Sequence, residues 1–211
     1  STRIGAKVMQ SAAKNLVPVT LELGGKSPVV IGRSAKVELA GTRLTFGKLL
    51  NGGQLCLSPD YVLVPEELEA QLIARVVSET QSMYPNITEN TDYAGVFDER
   101  HFARLQGYID DAVAKGAKLT IVGADKTRAS EGNRRMPLHI LQNVTEDMQV
   151  MHEEIFGPLL PVMTYADITE VPNKIEPRRN PLALYYFGKD KSEQEYLLSH
   201  VPSGGVCIND I

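Results

Sequence analysis

The chain has 211 residues, 43% hydrophobic and 23% charged, with 22 Lys and Arg against 26 Asp and Glu for a net charge of −4. That is the profile of a globular protein large enough for one core and part of a second, with no basic footprint for nucleic acid or an anionic membrane. No apolar run approaches the roughly 18 residues of a membrane span, so the expected ligands are small molecules or protein.

Residues 2–16 read as a helix capped by Ser1, because Ile4, Val8 and Ala12 recur every four residues and Pro18 forbids continuation. Residues 19–23 alternate apolar and polar as a strand does, which puts Glu22 at a strand end before Gly24-Gly25. A buried strand at 29–31 precedes a helix from Val37 toward Leu50, broken by Asn51-Gly52-Gly53. Residues 61–64 form a strand. Leu68, Leu72 and Val76 then mark an amphipathic helix, and Phe102, Leu105, Ile109 and Val113 mark another over 99–115. Strands at 119–122 and 138–141 flank a polar stretch, 123–135, expected as a surface hairpin or loop. Strands at 159–165 and 184–187 enclose a stretch where Pro172, Pro177 and Pro181 permit only short helical pieces. Ser192-Glu193-Gln194-Glu195 reads as a capping box opening a helix to His200, before a last strand at 206–208. Strands alternating with helices predict an α/β fold, a mainly parallel sheet with helices on both faces.

Three segments carry residues able to do chemistry. Cys56 follows a Gly-rich breaker, where a thiol is either a reachable nucleophile or a small buried hydrophobe. Cys207, inside an apolar strand, reads as structural, and two cysteines so far apart suggest free thiols in the cytoplasm rather than a disulfide scaffold. Glu22 is either solvent-facing or a base at a strand end. Glu153-Glu154-Ile155-Phe156-Gly157-Pro158 is either a charged loop anchored by its aromatic or part of a binding site. Gly24-Gly25-Lys26-Ser27 imitates the tail of a phosphate-binding loop, but Thr20 stands where that motif needs its first Gly. His101, His139, His152 and His200 show no metal-ligand spacing, so no metal is implied. The chain opens without Met or a leader pattern and ends on an apolar, strand-like segment, so a piece of a longer protein is expected.

Together the segments resemble the aldehyde dehydrogenase superfamily in identity, order and spacing. The match rests on Leu21-Glu22-Leu23-Gly24-Gly25-Lys26-Ser27-Pro28, Gly53-Gln54-Leu55-Cys56 and Glu153-Glu154-Ile155-Phe156-Gly157-Pro158. It continues through Pro59-Asp60-Tyr61, Pro181-Leu182-Ala183 and the terminal Gly-Gly-Val-Cys-Ile-Asn, details most similar to the branch holding fatty aldehyde and coniferyl aldehyde dehydrogenases. The resemblance implies that residues 1–22 end a Rossmann-like cofactor domain and that 23–211 form the catalytic domain. It implies Cys56 as the nucleophile that attacks an aldehyde carbonyl, passes hydride to the nicotinamide of NAD or NADP, and is left as a thioester. Glu22 is then the base that activates water, Glu154 the carboxylate for the nicotinamide ribose, Phe156 an apolar contact beside it, and Ser1 part of a pyrophosphate-binding helix start. An aromatic or long-chain aldehyde is the implied substrate and a homodimer the implied assembly. By the same resemblance the oxyanion-hole Asn lies outside these residues, so the chain alone is expected to be inactive. Two rivals remain at this stage: a cofactor-independent cysteine esterase, and a non-catalytic assembly domain.

Overall fold

Apolar runs with no polar face can only sit at the middle of a sheet covered on both sides. β1 (Pro28–Ile31), β2 (Tyr61–Pro65) and β6 (Ala183–Phe187) are such runs, buried at every position. In the computed structural model, which describes residues 2–123, 134–178 and 181–211, they form the centre of a seven-stranded sheet. Its order is β3-β4-β5-β2-β1-β6-β7, with β3 Lys118–Val122, β4 Leu138–Gln142, β5 Leu159–Tyr165 and β7 Gly205–Ile208. Every pairing is parallel except β3 with β4, which is antiparallel.

Residues alternating along each strand feed two cores. Val29, Ile31, Val62 and Val64 meet α2 (Val37–Leu49) and α3 (Glu69–Met83) through Leu44, Leu72 and Val76. Val30, Tyr61 and Leu63 face the opposite side, where Leu105 and Ile109 of α4 (Glu99–Ala114) pack with Val171 and Ile175 of α5 (Val171–Ile175) and Leu197 of α6 (Lys191–His200). The expected α/β sheet with helices on both faces is the observed one. Among the described residues no helix is long and apolar enough to cross a membrane.

Several local expectations are corrected. Residues 19–23 are not a strand: β1 is paired on both sides, by β2 and β6, and no described strand takes the hydrogen bonds of 19–23. The first helix, α1 (Thr2–Ala13), stops short of Leu16, which adopts a left-handed φ of 56°. The last helix is capped by Asp190, whose carboxylate accepts from the Ser192 and Glu193 N–H groups, rather than by Ser192. Ser1 and residues 124–133, which hold most of the expected loop at 123–135, lie outside the described residues.

Candidate active site

In open α/β sheets ligands usually gather beyond the carboxyl ends of the strands. Here the chemically interesting segments all precede strands. Glu22 lies before β1, Cys56 before β2, and Glu154 and Phe156 before β5. Because β5, β2 and β1 are adjacent in the sheet, three segments remote in sequence come side by side at its amino edge.

Contacts between the segments are close. A side chain on Gly24 would overlap the Glu154 carboxylate, so the missing Cβ is what lets the two meet. A Cβ on Gly53, whose φ is +73°, would come within 2.5 Å of the Gly157 carbonyl oxygen, which seats the Cys56 loop against the Glu154 loop. The Lys26 ammonium, buried beneath both, is ion-paired with Asp60 and donates to the carbonyls of Val150 and Glu153, each at 2.9 Å.

The turn before Cys56 is made by three consecutive left-handed residues, Asn51, Gly52 and Gly53, a reversal α2 could not otherwise make. Its irregular backbone is then pinned by side chains. The Gln54 amide donates to the carbonyls of Asn51 at 2.9 Å and Gly95 at 3.0 Å, while its oxygen accepts from the Phe97 N–H at 3.0 Å. Tyr185 donates to the Leu57 carbonyl at 2.6 Å, Ser58 to Gly47, and the buried Lys48 ammonium to Pro59 at 2.8 Å. Burial pushes the Lys48 ammonium down to about 8. Burial, with Cys207 and Cys56 as the charge partners, pushes the Tyr185 phenol up to about 12. Cys56 itself is exposed, and its N–H donates to no described residue. Cys207 packs, partly buried, against the α2–α3 core, in keeping with a structural thiol.

Glu154 is only partly paired. Burial, reinforced by nearby Asp60, pushes its carboxyl up to about 7, and Oε1 is buried with no hydrogen-bond partner among the described residues. A carboxylate oxygen in that state lacks the hydroxyl or N–H donor that such groups normally find. Phe156 beside it is half-buried and held at φ 51°, a conformation an aromatic residue adopts only when its surroundings impose it. Glu22 is exposed, lies in irregular backbone rather than at a strand end, and its side chain bonds to no other described residue. The structure thus brings Cys56, Glu154 and Phe156 onto one edge of the sheet, and leaves Glu22 as a free carboxylate two residues ahead of Gly24.

The aldehyde dehydrogenase family model matches residues 1–211. The probable coniferyl aldehyde dehydrogenase of Pseudomonas aeruginosa is 46% identical over all of this chain and 43% of its own length. The coniferyl aldehyde dehydrogenase of a Pseudomonas species is 42% identical over 44% of its length. The chain belongs to the aldehyde dehydrogenase family. A solved structure described as the substrate-bound state of Staphylococcus aureus AldH superposes with a TM-score of 0.91 at 36% identity, covering all of this chain and 44% of that one. The chain therefore spans less than half the length of these aldehyde dehydrogenases. A nicotinamide cofactor fits the chemistry of the residues present, since Glu154 Oε1 is an acceptor without a partner among the described residues and suits a hydroxyl donor such as a ribose carries.

Sequence reasoning gave no role to the residues that hold these loops in shape, Lys26, Asp60, Lys48, Gln54, Tyr185 and Arg104, the last of which donates to the Ile155 carbonyl. One signal could have found two of them. Lys26 and Asp60 each stand just ahead of an all-buried strand, where an unpaired charge could not remain.

Proposed function

We propose that the enzyme containing this chain oxidises an aldehyde to its carboxylic acid with NAD or NADP, using Cys56 as nucleophile. One observation carries the reading: an exposed cysteine with a free N–H sits on a pinned loop that packs directly against the loop bearing the unpartnered Glu154. When bound, the nicotinamide ring supplies a hydride acceptor. The Cys56 thiolate attacks the carbonyl carbon, the Cys56 N–H donates to the oxygen that becomes negative, and loss of hydride leaves an acyl thioester on Sγ. Glu22, exposed and unpaired, takes a proton from the water that cleaves the thioester. Glu154 accepts from ribose hydroxyls and Phe156 packs beside them. Pyrophosphate binding at Ser1 is part of the same reading.

The relatives named for coniferyl aldehyde favour an aromatic substrate over a long-chain one. Residues 1–22 are assigned to the cofactor domain because α1 buries only Gly5 and leaves Ile4, Val8 and Met9 half exposed. The outer edge of β7, with Val206 and Ile208 exposed and no further strand among the described residues, suits a homodimer. Both cysteines are free, which suits the cytoplasm. Because a single donor makes half an oxyanion hole, and losing one costs about 10²–10³ in rate, the 211-residue chain alone should not oxidise aldehydes. Cys56→Ser in the full-length enzyme should abolish aldehyde-dependent NADH formation. Glu22→Gln should release one equivalent of NADH and stall as the acyl-enzyme. Retained turnover in either variant removes that residue from its role, and ester hydrolysis without nucleotide as the only Cys56-dependent activity would favour an esterase.

A further inference from the structure

We infer that Lys26 is a positioning residue for the cofactor site, its buried ammonium and Asp60 together clamping the backbone on both sides of Glu154. The inference rests on the reading of Glu154 as the ribose carboxylate.

Lys26 is 3% exposed and directs its ammonium at three acceptors, the Asp60 carboxylate and the Val150 and Glu153 carbonyls. Asp60 in turn uses its other oxygen, Oδ1, to accept from the Ile155 N–H at 2.9 Å. The peptide units immediately before and after Glu154 are therefore tied to the two halves of one ion pair. Arg104 completes the clamp, donating to the carbonyls of Ile155 at 2.6 Å and Glu154 at 3.4 Å. Beside this saturated backbone, Glu154 Oε1 has no partner among the described residues. A buried acceptor left without a described partner while each neighbouring peptide is fixed is suited to meeting a donor from outside the chain.

The pair's location supports the same conclusion. Lys26 follows Gly24 and Gly25, so the ammonium that grips Glu153 is carried by the segment whose missing Cβ at Gly24 receives the Glu154 carboxylate. Asp60 leads into β2 and bonds Ser27 through its own N–H at 2.9 Å, fixing the Lys26 segment and the nucleophile loop in one frame. Burying two charges is costly, and a well-packed apolar pair at such a site is often as stable, so stability gives little reason for an ion pair here. Geometry gives one: a shift of about 1 Å in a binding group can cost as much as a hundredfold in function.

The test uses the full-length enzyme with Glu154→Gln, with a double variant at Lys26 and Asp60, and with the two combined. Glu154→Gln measures what the ribose carboxylate contributes. Lys26→Met removes the clamp but strands Asp60, so Lys26→Met/Asp60→Asn removes both charges while keeping an oxygen for the Ile155 N–H. Two readouts go beyond activity: NADH and NADPH dissociation constants by fluorescence titration, and deuterium uptake at residues 150–157. The double variant should bind the preferred dinucleotide about tenfold more weakly, leave the aldehyde KM within about twofold, and take up deuterium faster at 150–157 with β2 and β5 unchanged. Adding Glu154→Gln to it should weaken binding little further, because the two act through one group. Unchanged dinucleotide affinity in the double variant, or exchange rising evenly along the chain, would overturn the positioning role. If Glu154→Gln alone leaves affinity unchanged, the ribose reading of Glu154 fails and takes this inference with it.

Discussion

Ionised Glu154 should destabilise the fold that presents it. Burial, with Asp60 nearby, lifts its carboxyl from the ordinary 4.5 to about 7, so across that window the folded chain holds a proton that the unfolded chain has released. Stability must then fall as pH rises from 4.5 to about 7, because the unfolded state is the better acid. The full shift corresponds to a penalty of about 3 kcal/mol at pH 7.5 and about 1 kcal/mol at pH 5. Glu154 is half-buried rather than sealed, and solvent screening should reduce the measurable part at pH 7.5 to about 1–2 kcal/mol. Glu154→Gln removes the charge at nearly constant volume and should be more stable than the parent at pH 7.5, with the gap mostly closed at pH 5. Stopping at pH 7.5 keeps Lys48, lowered to about 8, largely charged in both proteins. Urea unfolding of parent and variant at half-unit steps from pH 5 to 7.5 measures the gap. A gap independent of pH, or one that widens toward pH 5, would refute the burial argument.

Gly24→Ala puts a methyl group where the Glu154 carboxylate lies. The carboxylate is the mobile end of a flexible side chain, so stability should change by less than about 1 kcal/mol while dinucleotide affinity, read by NADH fluorescence, falls about tenfold. Gly53→Ala combines a φ of +73° with a Cβ 2.5 Å from the Gly157 carbonyl oxygen, both backbone constraints that cannot relax cheaply. It should cost about 2–4 kcal/mol, a fall in Tm of about 5–15 °C by scanning calorimetry. Tyr185→Phe removes the hydroxyl that holds the Leu57 carbonyl just after Cys56. It should cost about 1 kcal/mol in unfolding and slow aldehyde turnover about three- to tenfold, and a kcat equal to the parent's would show that the loop does not need this bond.

What could be read from the sequence depended on how local its cause was. α3 and α4 follow from apolar residues three and four apart, and β5 from the apolar run at 159–163, so their positions could be stated without knowing what they pack against. Residues 19–23 alternate like a strand, but alternation supplies only a face; a strand also needs a neighbour's N–H and C=O groups, and none is offered there by a described strand. At α6 the pattern Ser192-x-x-Glu195 satisfied a capping rule, yet Asp190, two residues earlier, reached the free N–H groups first. Cys56, Glu154 and Phe156 were readable as candidates because each stands in a short motif of the resemblance, and the fold brings their loops to one edge of the sheet. Lys26 and Asp60 were not, being 34 residues apart and joined only when β1 and β2 lie side by side.

The amino-edge position of the site explains why so many of its supporting groups are donors. Loops entering the sheet between Leu50 and Asp60, and between Met148 and Pro158, run in short 3-10 turns and irregular backbone, so their carbonyls have no strand ladder to accept from. Lys26, Lys48, Gln54, Ser58, Arg104 and Tyr185 each donate to one or more of these carbonyls or to those of adjoining segments. Each donor is unremarkable in the sequence because its partner is a carbonyl oxygen, which every residue carries. The groups proposed for chemistry are among those left over after this pairing: the exposed Cys56 thiol, the Cys56 N–H, the Glu22 carboxylate and Glu154 Oε1. In such a frame, vacancies locate a reaction better than residue type does, since a saturated backbone holds a free acceptor or donor in place until a substrate or cofactor meets it.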